Sequence, residues 1–135
     1  MPDDLMLAGH DAAGLADQLL RAGRPFHAHE VLEASWKSAP PAERDLWQGL
    51  AQIAVGLTHA HRGNERGAVA LLRRGAQRVR AYQAGGPAHD RDRPYGMDLA
   101  GFLAAADELT ARIERDGLPG IPAADLSPPL LGPEP

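Results

Sequence analysis

The chain has 135 residues, a formal net charge of −4, 44% apolar residues, few aromatics and no cysteine. That length supports one domain with a real core. The missing thiols exclude disulfides, thiol catalysis and thiolate metal sites, and the acidic balance argues against a dedicated nucleic-acid binder.

No run approaches the ~20 apolar residues that span a bilayer, and Met1-Pro2-Asp3-Asp4 lacks a basic signal region, so a cytoplasmic protein is expected. Ala and Leu dominate the apolar set and no alternating β-branched run occurs, which favours an all-α fold. Residues 1–10 read as a loose lead-in. From Asp11, a plausible N-cap, the apolar positions Ala12, Leu15, Ala16, Leu19 and Leu20 make a short amphipathic helix that Gly23 stops. Pro25 suits the first turn of a second helix, because its missing N–H has no intrahelical partner there.

This second helix carries Phe26-His27-Ala28-His29-Glu30-Val31-Leu32-Glu33-Ala34-Ser35-Trp36 and breaks at Pro40-Pro41. At roughly 100° per residue, Phe26, Leu32 and Trp36 share one broad face. His29 and Glu33, one turn apart, fall inside that arc, with Glu30 at its edge. A helix buries the stripe its large apolar residues define. An imidazole and a carboxylate are therefore drawn inward beside Trp36, where an unpaired charge costs several kcal/mol, and something must satisfy them.

A third helix is expected over residues 42–62, with Leu46, Leu50, Ile53, Leu57 and Ala60 as its stripe. A second stripe holds Gln48, Gln52 and His59, interleaved with Gly49 and Gly56. Mid-helix glycine costs roughly 1 kcal/mol against alanine, so two on one side imply close approach of another helix. The expected neighbour is the second helix, which would place Gln52 and His59 near His29, Glu30 and Glu33. Asn64 caps a fourth helix running to Ala84, with Ala68, Leu71, Leu72, Ala76 and Val79 inward. Its Arg66, Arg73, Arg74, Arg78 and Arg80 form a basic outer surface, ordinarily a solvated face and less often an anion site. A polar loop over residues 85–97 follows. Asp98 then caps a fifth helix with the stripe Leu99, Phe102, Leu103, Ala106, Leu109 and Ile113. The domain is thus drawn at residues 11–115. Residues 116–135 form a Pro-rich tail without periodicity, expected to be flexible, whose Leu126, Leu130 and Leu131 are its candidates for docking.

An echo links the two halves. Gly23, Ala28 and Leu32 repeat as Gly63, Ala68 and Leu72, 40 residues on. The pattern resembles two tetratricopeptide-like hairpins followed by a C-terminal helix, the ~34-residue period of that repeat being lengthened by the Pro40-Pro41 connection. Where the second hairpin has Val69 and Arg73, the first has His29 and Glu33.

The pattern Gly-x-x-Phe-x-x-His-Glu-x-Leu-Glu-x-x-Trp over Gly23–Trp36 resembles the signature of the prokaryotic family called "domain of unknown function 309". The segments Gln48–Ala54, His59 and Arg62–Ala68 are similar to the same family's second half, and Pro94-Tyr95-Gly96-Met97-Asp98 to the connection into its last helix. The resemblance covers residues 11–115 and implies a small α-helical fold with no established activity. Family positions occupied here are His29, Glu30, Glu33, Trp36, Gln52, His59, Gly63 and Asn64. His27 and the long tail depart from the pattern.

The residues support four readings. The first is a binding module, whose helical hairpins form a groove lined by His29, Glu30, Glu33, Trp36, Gln52, His59 and Asn64 for a protein or peptide; self-association into a homo-oligomer is compatible with it. A divalent metal is the alternative, held by His29 and Glu33 at i, i+4 with a third ligand from His59 or Glu30; N and O donors suit zinc, manganese or iron. The motif lacks the second helical His of a zinc protease. Metal-free chemistry would use Glu33 or Glu30 as a general base, though no nucleophile, phosphate loop or nucleotide fingerprint accompanies it. Last, a His–Glu pair could simply fix helix register. Trp36 reads as core, Trp47 as a packing residue, His61 as a satisfied core-edge histidine, and His10 and His89 as surface.

Overall fold

The computed structural model describes residues 9–86 and 91–131. The expectations for residues 1–8, for Pro87 and His89, and for the tail beyond Leu131 lie outside these. Among the described residues five α-helices of thirteen residues or more follow in order: α1 (Gly9–Arg21), α2 (Pro25–Ser38), α3 (Arg44–His61), α4 (Glu65–Ala84) and α5 (Leu99–Asp116). Among the described residues there is no strand, only an isolated bridge between Met97 and Leu131, so the all-α expectation is met. None of the described helices is long and apolar enough to cross a membrane.

The punctuation residues act largely as expected. Pro25 occupies the first turn of α2, and Ala39 is extended ahead of Pro40. Asn64 and Asp98 cap α4 and α5, accepting from the Gly67 and Gly101 amides at 3.0 and 3.1 Å. Asp11 differs: α1 opens at Gly9, which puts Asp11 inside the first turn instead of at the cap.

Each helix packs on its chain neighbour, α1 on α2, α2 on α3, α3 on α4 and α4 on α5. The core is a continuous cluster including Leu20, Leu32, Leu50, Ile53, Leu57, Leu72, Val79 and Phe102. Burying one such leucine contributes about 1.5–3 kcal/mol. The α3–α4 seam is the tightest joint. A Cβ added to Gly49 would stand 2.8 Å from the Gly75 carbonyl oxygen, and one at Gly56 would stand 2.9 Å from the Leu72 amide. The small-residue side of α3 therefore faces α4, correcting the expectation that it faces α2. The cause is Gly75 on α4, which supplies the matching gap.

The arginines of α4 are mostly neutralised locally. Arg73 and Arg80 pair with Glu114 and Asp107 on α5, and Arg78 with Asp45 on α3. Exposed pairs of this kind contribute at most about 1 kcal/mol each, but they occupy most of the basic surface.

The tail is docked over residues 117–131, where a flexible segment was expected. Leu118, Ile121, Leu126 and Leu130 are buried. Asp17 on α1, itself buried, accepts from the Leu130 and Leu131 amides at 2.9 Å through one oxygen, and from Arg21 Nε at 2.8 Å through the other. His61 Nε2 donates to the Leu126 carbonyl at 3.1 Å. These bonds hold backbone, not a periodic side-chain face, so the apolar pattern of the tail carries no trace of them.

Candidate functional site

Gly23, at φ +74°, turns the chain sharply out of α1, a left-handed conformation that glycine adopts freely. Pro25 then starts α2, which buries Ala28, Leu32 and Ser35 against its neighbours. Phe26 lies off that line and is 44% exposed, whereas the sequence placed it on the buried face. Trp36 is partly buried against the core, as expected.

His29 stands at the edge of the buried strip. Its Nε2 lies 2.9 Å from Glu33 Oε2, and Lys37 Nζ lies 3.3 Å from Glu33 Oε1. The pair is thus only half-sunk, its side chains 21% and 39% exposed, and Lys37 one turn on supplies a second partner. Burial pushes the Glu33 carboxyl up, but hydrogen bonds from Lys37 and His29 and their charges outweigh it and leave the group below its ordinary value. The His29 ring packs 5.8 Å from that of Phe26. Its other nitrogen, Nδ1, is buried and has no hydrogen-bond partner among the described residues, and the same is true of Gln52 Oε1. In the neutral ring with Nε2–H directed at Glu33, Nδ1 presents a lone pair; in the charged ring it presents an N–H.

The remaining candidates form a separate group. His59 packs against the first turn of α4: its Nδ1 is 3.1 Å from Asn64 Nδ2, an arrangement in which the amide donates, and its ring touches Gly67. Asn64 thereby serves cap and histidine together. Glu30 is exposed. No hydrogen bond joins the His29–Glu33 pair to the His59–Asn64 pair among the described residues, and none of the clusters there has three or more His, Asp or Glu placed to hold an ion.

A second polar cluster escaped sequence reasoning. The Glu43 carboxylate accepts from the Tyr95 hydroxyl at 2.8 Å and from Trp47 Nε1 at 3.1 Å, beside a cavity of about 110 Å³ that Ser35 and Ser38 also line. Tyr95 holds a left-handed backbone at φ 55°, which costs on the order of 1 kcal/mol for a non-glycine residue. Burial, the hydrogen bond to Glu43 and its negative charge push the phenol up to about 12. The i, i+4 spacing of Glu43 and Trp47 was a usable signal; the long-range arrival of Tyr95 was not. Trp47 does pack, being 2% exposed, but it also donates.

With this geometry in place, comparison with known proteins finds a family model, Domain of unknown function (DUF309), matching residues 15–71. The resemblance to DUF309 is borne out over residues 15–71. The chain is also similar to the uncharacterized protein YpuF of Bacillus subtilis (strain 168), 36% identical over 90 residues, or 66% of this chain and 48% of the relative. It therefore spans about half the length of the curated relative it matches. No solved structure matches it. The matched segment contains the later part of α1, α2, α3 and the start of α4, and so every candidate from His29 to Asn64.

Proposed function

We propose that the chain is a non-catalytic helical binding module whose ligand-contacting surface is the side of α2 carrying Phe26, His29 and Glu33. The carrying observation is the buried, unpartnered Nδ1 of His29 beside a half-exposed Phe26 ring. An unsatisfied buried polar atom costs about 1–3 kcal/mol, so a retained one calls for a partner such as an ordered water, an ion or a ligand group. Phe26 adds the apolar anchor that binding surfaces use. We read α1–α2 and α3–α4 as tetratricopeptide-like hairpins that present this surface to a protein or peptide, or to a second copy of the chain.

Immobilised wild-type, Phe26→Ala and Glu33→Gln chains test the reading. A partner should be retained by the wild type and lost by both variants, whose melting temperatures stay within about 3 °C of wild type. Equal retention by all three overturns the reading, as does a stability loss above about 2 kcal/mol in Glu33→Gln.

The metal alternative keeps one specific support. A ligating histidine characteristically gives its second ring nitrogen to a carboxylate, and Glu33 stands in that position to His29. In that reading Nδ1 is the ligand, Glu33 orients the ring, and groups of the bound molecule complete the set, since His59 lies in the separate pair with Asn64. Zn²⁺ or Mn²⁺ should then raise the melting temperature in the wild type and not in His29→Ala; no shift removes the reading.

A further inference from the structure

The turn between α1 and α2, the end of α3 and the docked tail border two adjoining open depressions of about 230 and 490 Å³, which share Gly23 and His61. Among the described residues no Asp or Glu lines either one, although the chain carries 18 acidic residues against 14 basic. The wall around the exposed Phe26 ring instead presents Arg24, His27, His61 and Arg62, while Arg21, in the adjoining depression, is held by Asp17. Arg24 and Arg62 enter no ion pair among the described residues, unlike Arg73, Arg78, Arg80 and Arg112, each of which has a carboxylate. Both are nonetheless positioned: the Arg62 guanidinium lies 5.8 Å over the Phe26 ring, and Arg24 Nη2 donates to His27 Nε2 at 3.3 Å. The positive end of α2 opens here too, and the Arg24 side chain leaves its first turn uncapped.

We propose that this groove takes an acidic peptide segment of a partner protein, with an apolar side chain seated on Phe26 and carboxylates on Arg24 and Arg62. The inference rests on the binding-module reading and supplies the partner's chemistry. Charge complementarity selects the occupant: a nucleic acid would need a longer basic track than these few cations, while a small anion would leave the Phe26 anchor unused. The tail contributes a wall of small, uncharged residues, including Ala124, Ser127 and Pro129, suited to an apolar chain passing over it.

The probe is a short fluorescein-labelled peptide of alternating aspartate and leucine, read by fluorescence polarisation against the full chain. Controls are the same peptide with lysine for aspartate, and polyuridine RNA. Saturable binding of the acidic peptide is expected, weakening with salt and by at least about tenfold in Arg24→Glu/Arg62→Glu. The milder Arg24→Gln/Arg62→Gln pair serves if the reversal unfolds the chain. No saturable binding, equal affinity for the lysine peptide, tighter binding of RNA, or an unaffected folded variant each overturns the proposal. A captured partner that His29→Ala releases and Arg24→Glu/Arg62→Glu retains would remove the acidic groove while leaving the module reading intact.

Discussion

Gly75→Ala sets two effects of opposite sign against each other at the joint that orients α3. Alanine is favoured over glycine inside a helix by about 1 kcal/mol. At position 75, however, the new methyl would stand 2.6 Å from the Gly49 carbonyl oxygen, 2.6 Å from Ile53 Cγ1 and 2.8 Å from the Ile53 amide nitrogen. Two of those three atoms are helix backbone and cannot rotate away, so α4 must move off α3. Overpacking of this kind costs about 1–3 kcal/mol, and with backbone on both sides the upper end applies. The expected net loss is about 2 kcal/mol, or roughly 6 °C in melting temperature for a domain of this size. Gly14→Ala is the matched control, since nothing lies within 4 Å of the added carbon; it should gain up to about 1 kcal/mol. Urea and thermal unfolding followed by circular dichroism measure both, with an unchanged urea slope certifying that only stability moved. A Gly75→Ala chain as stable as wild type would refute the close backbone seam.

Three further outcomes follow from the same geometry. Asp17→Ala strands the Leu130 and Leu131 amides, a loss of about 3 kcal/mol; hydrogen exchange should quicken over 118–131 while α3 stays protected, and unchanged tail protection would count against the clamp. Because the Tyr95 phenol is raised from 10.0 to about 12, the native state holds its proton more tightly than the unfolded chain; that contribution is full below pH 10 and lost as pH climbs towards 12, so Tyr95→Phe should flatten the alkaline fall in stability. Glu33 has the opposite sense: its lowered carboxyl stabilises the fold above the ordinary 4.5 and loses that effect as pH falls further. Glu33→Gln should therefore blunt the acid limb while changing stability at neutral pH by under about 1 kcal/mol, since the side chain is over a third exposed and its ion pairs are screened; an unaltered acid limb would contradict the pairing.

The helices were legible because their signals are local. Pro25, Asn64, Asp98 and the stripe from Leu99 to Ile113 each specify structure through residues within a turn or two, and all behave as read. The His29–Glu33 contact was legible for the same reason, being i, i+4. What failed depended on distant partners. Gly49 and Gly56 announced a close approach, but only Gly75 decided which helix made it. Phe26 looked inward until the actual buried line through Ala28 and Leu32 excluded it. The tail is fixed by Asp17, more than a hundred positions earlier; an acid between Ala16 and Leu20 on the buried side of α1 was its one advance sign. Tyr95 reaches Glu43 through an irregular connection with no periodicity to read.

The stability of His29→Ala tests the central claim most directly, without needing a ligand. The substitution removes one half-exposed hydrogen bond and the contact with Phe26. It also removes the unpartnered Nδ1 and gains a few tenths of a kcal/mol in helix propensity. If His29 is there to meet a ligand, these terms offset and the unfolding free energy measured in urea stays within about 1 kcal/mol of wild type, or rises. A loss above about 2 kcal/mol would make the pair a structural fastening of α2 and contradict the binding surface proposed for it.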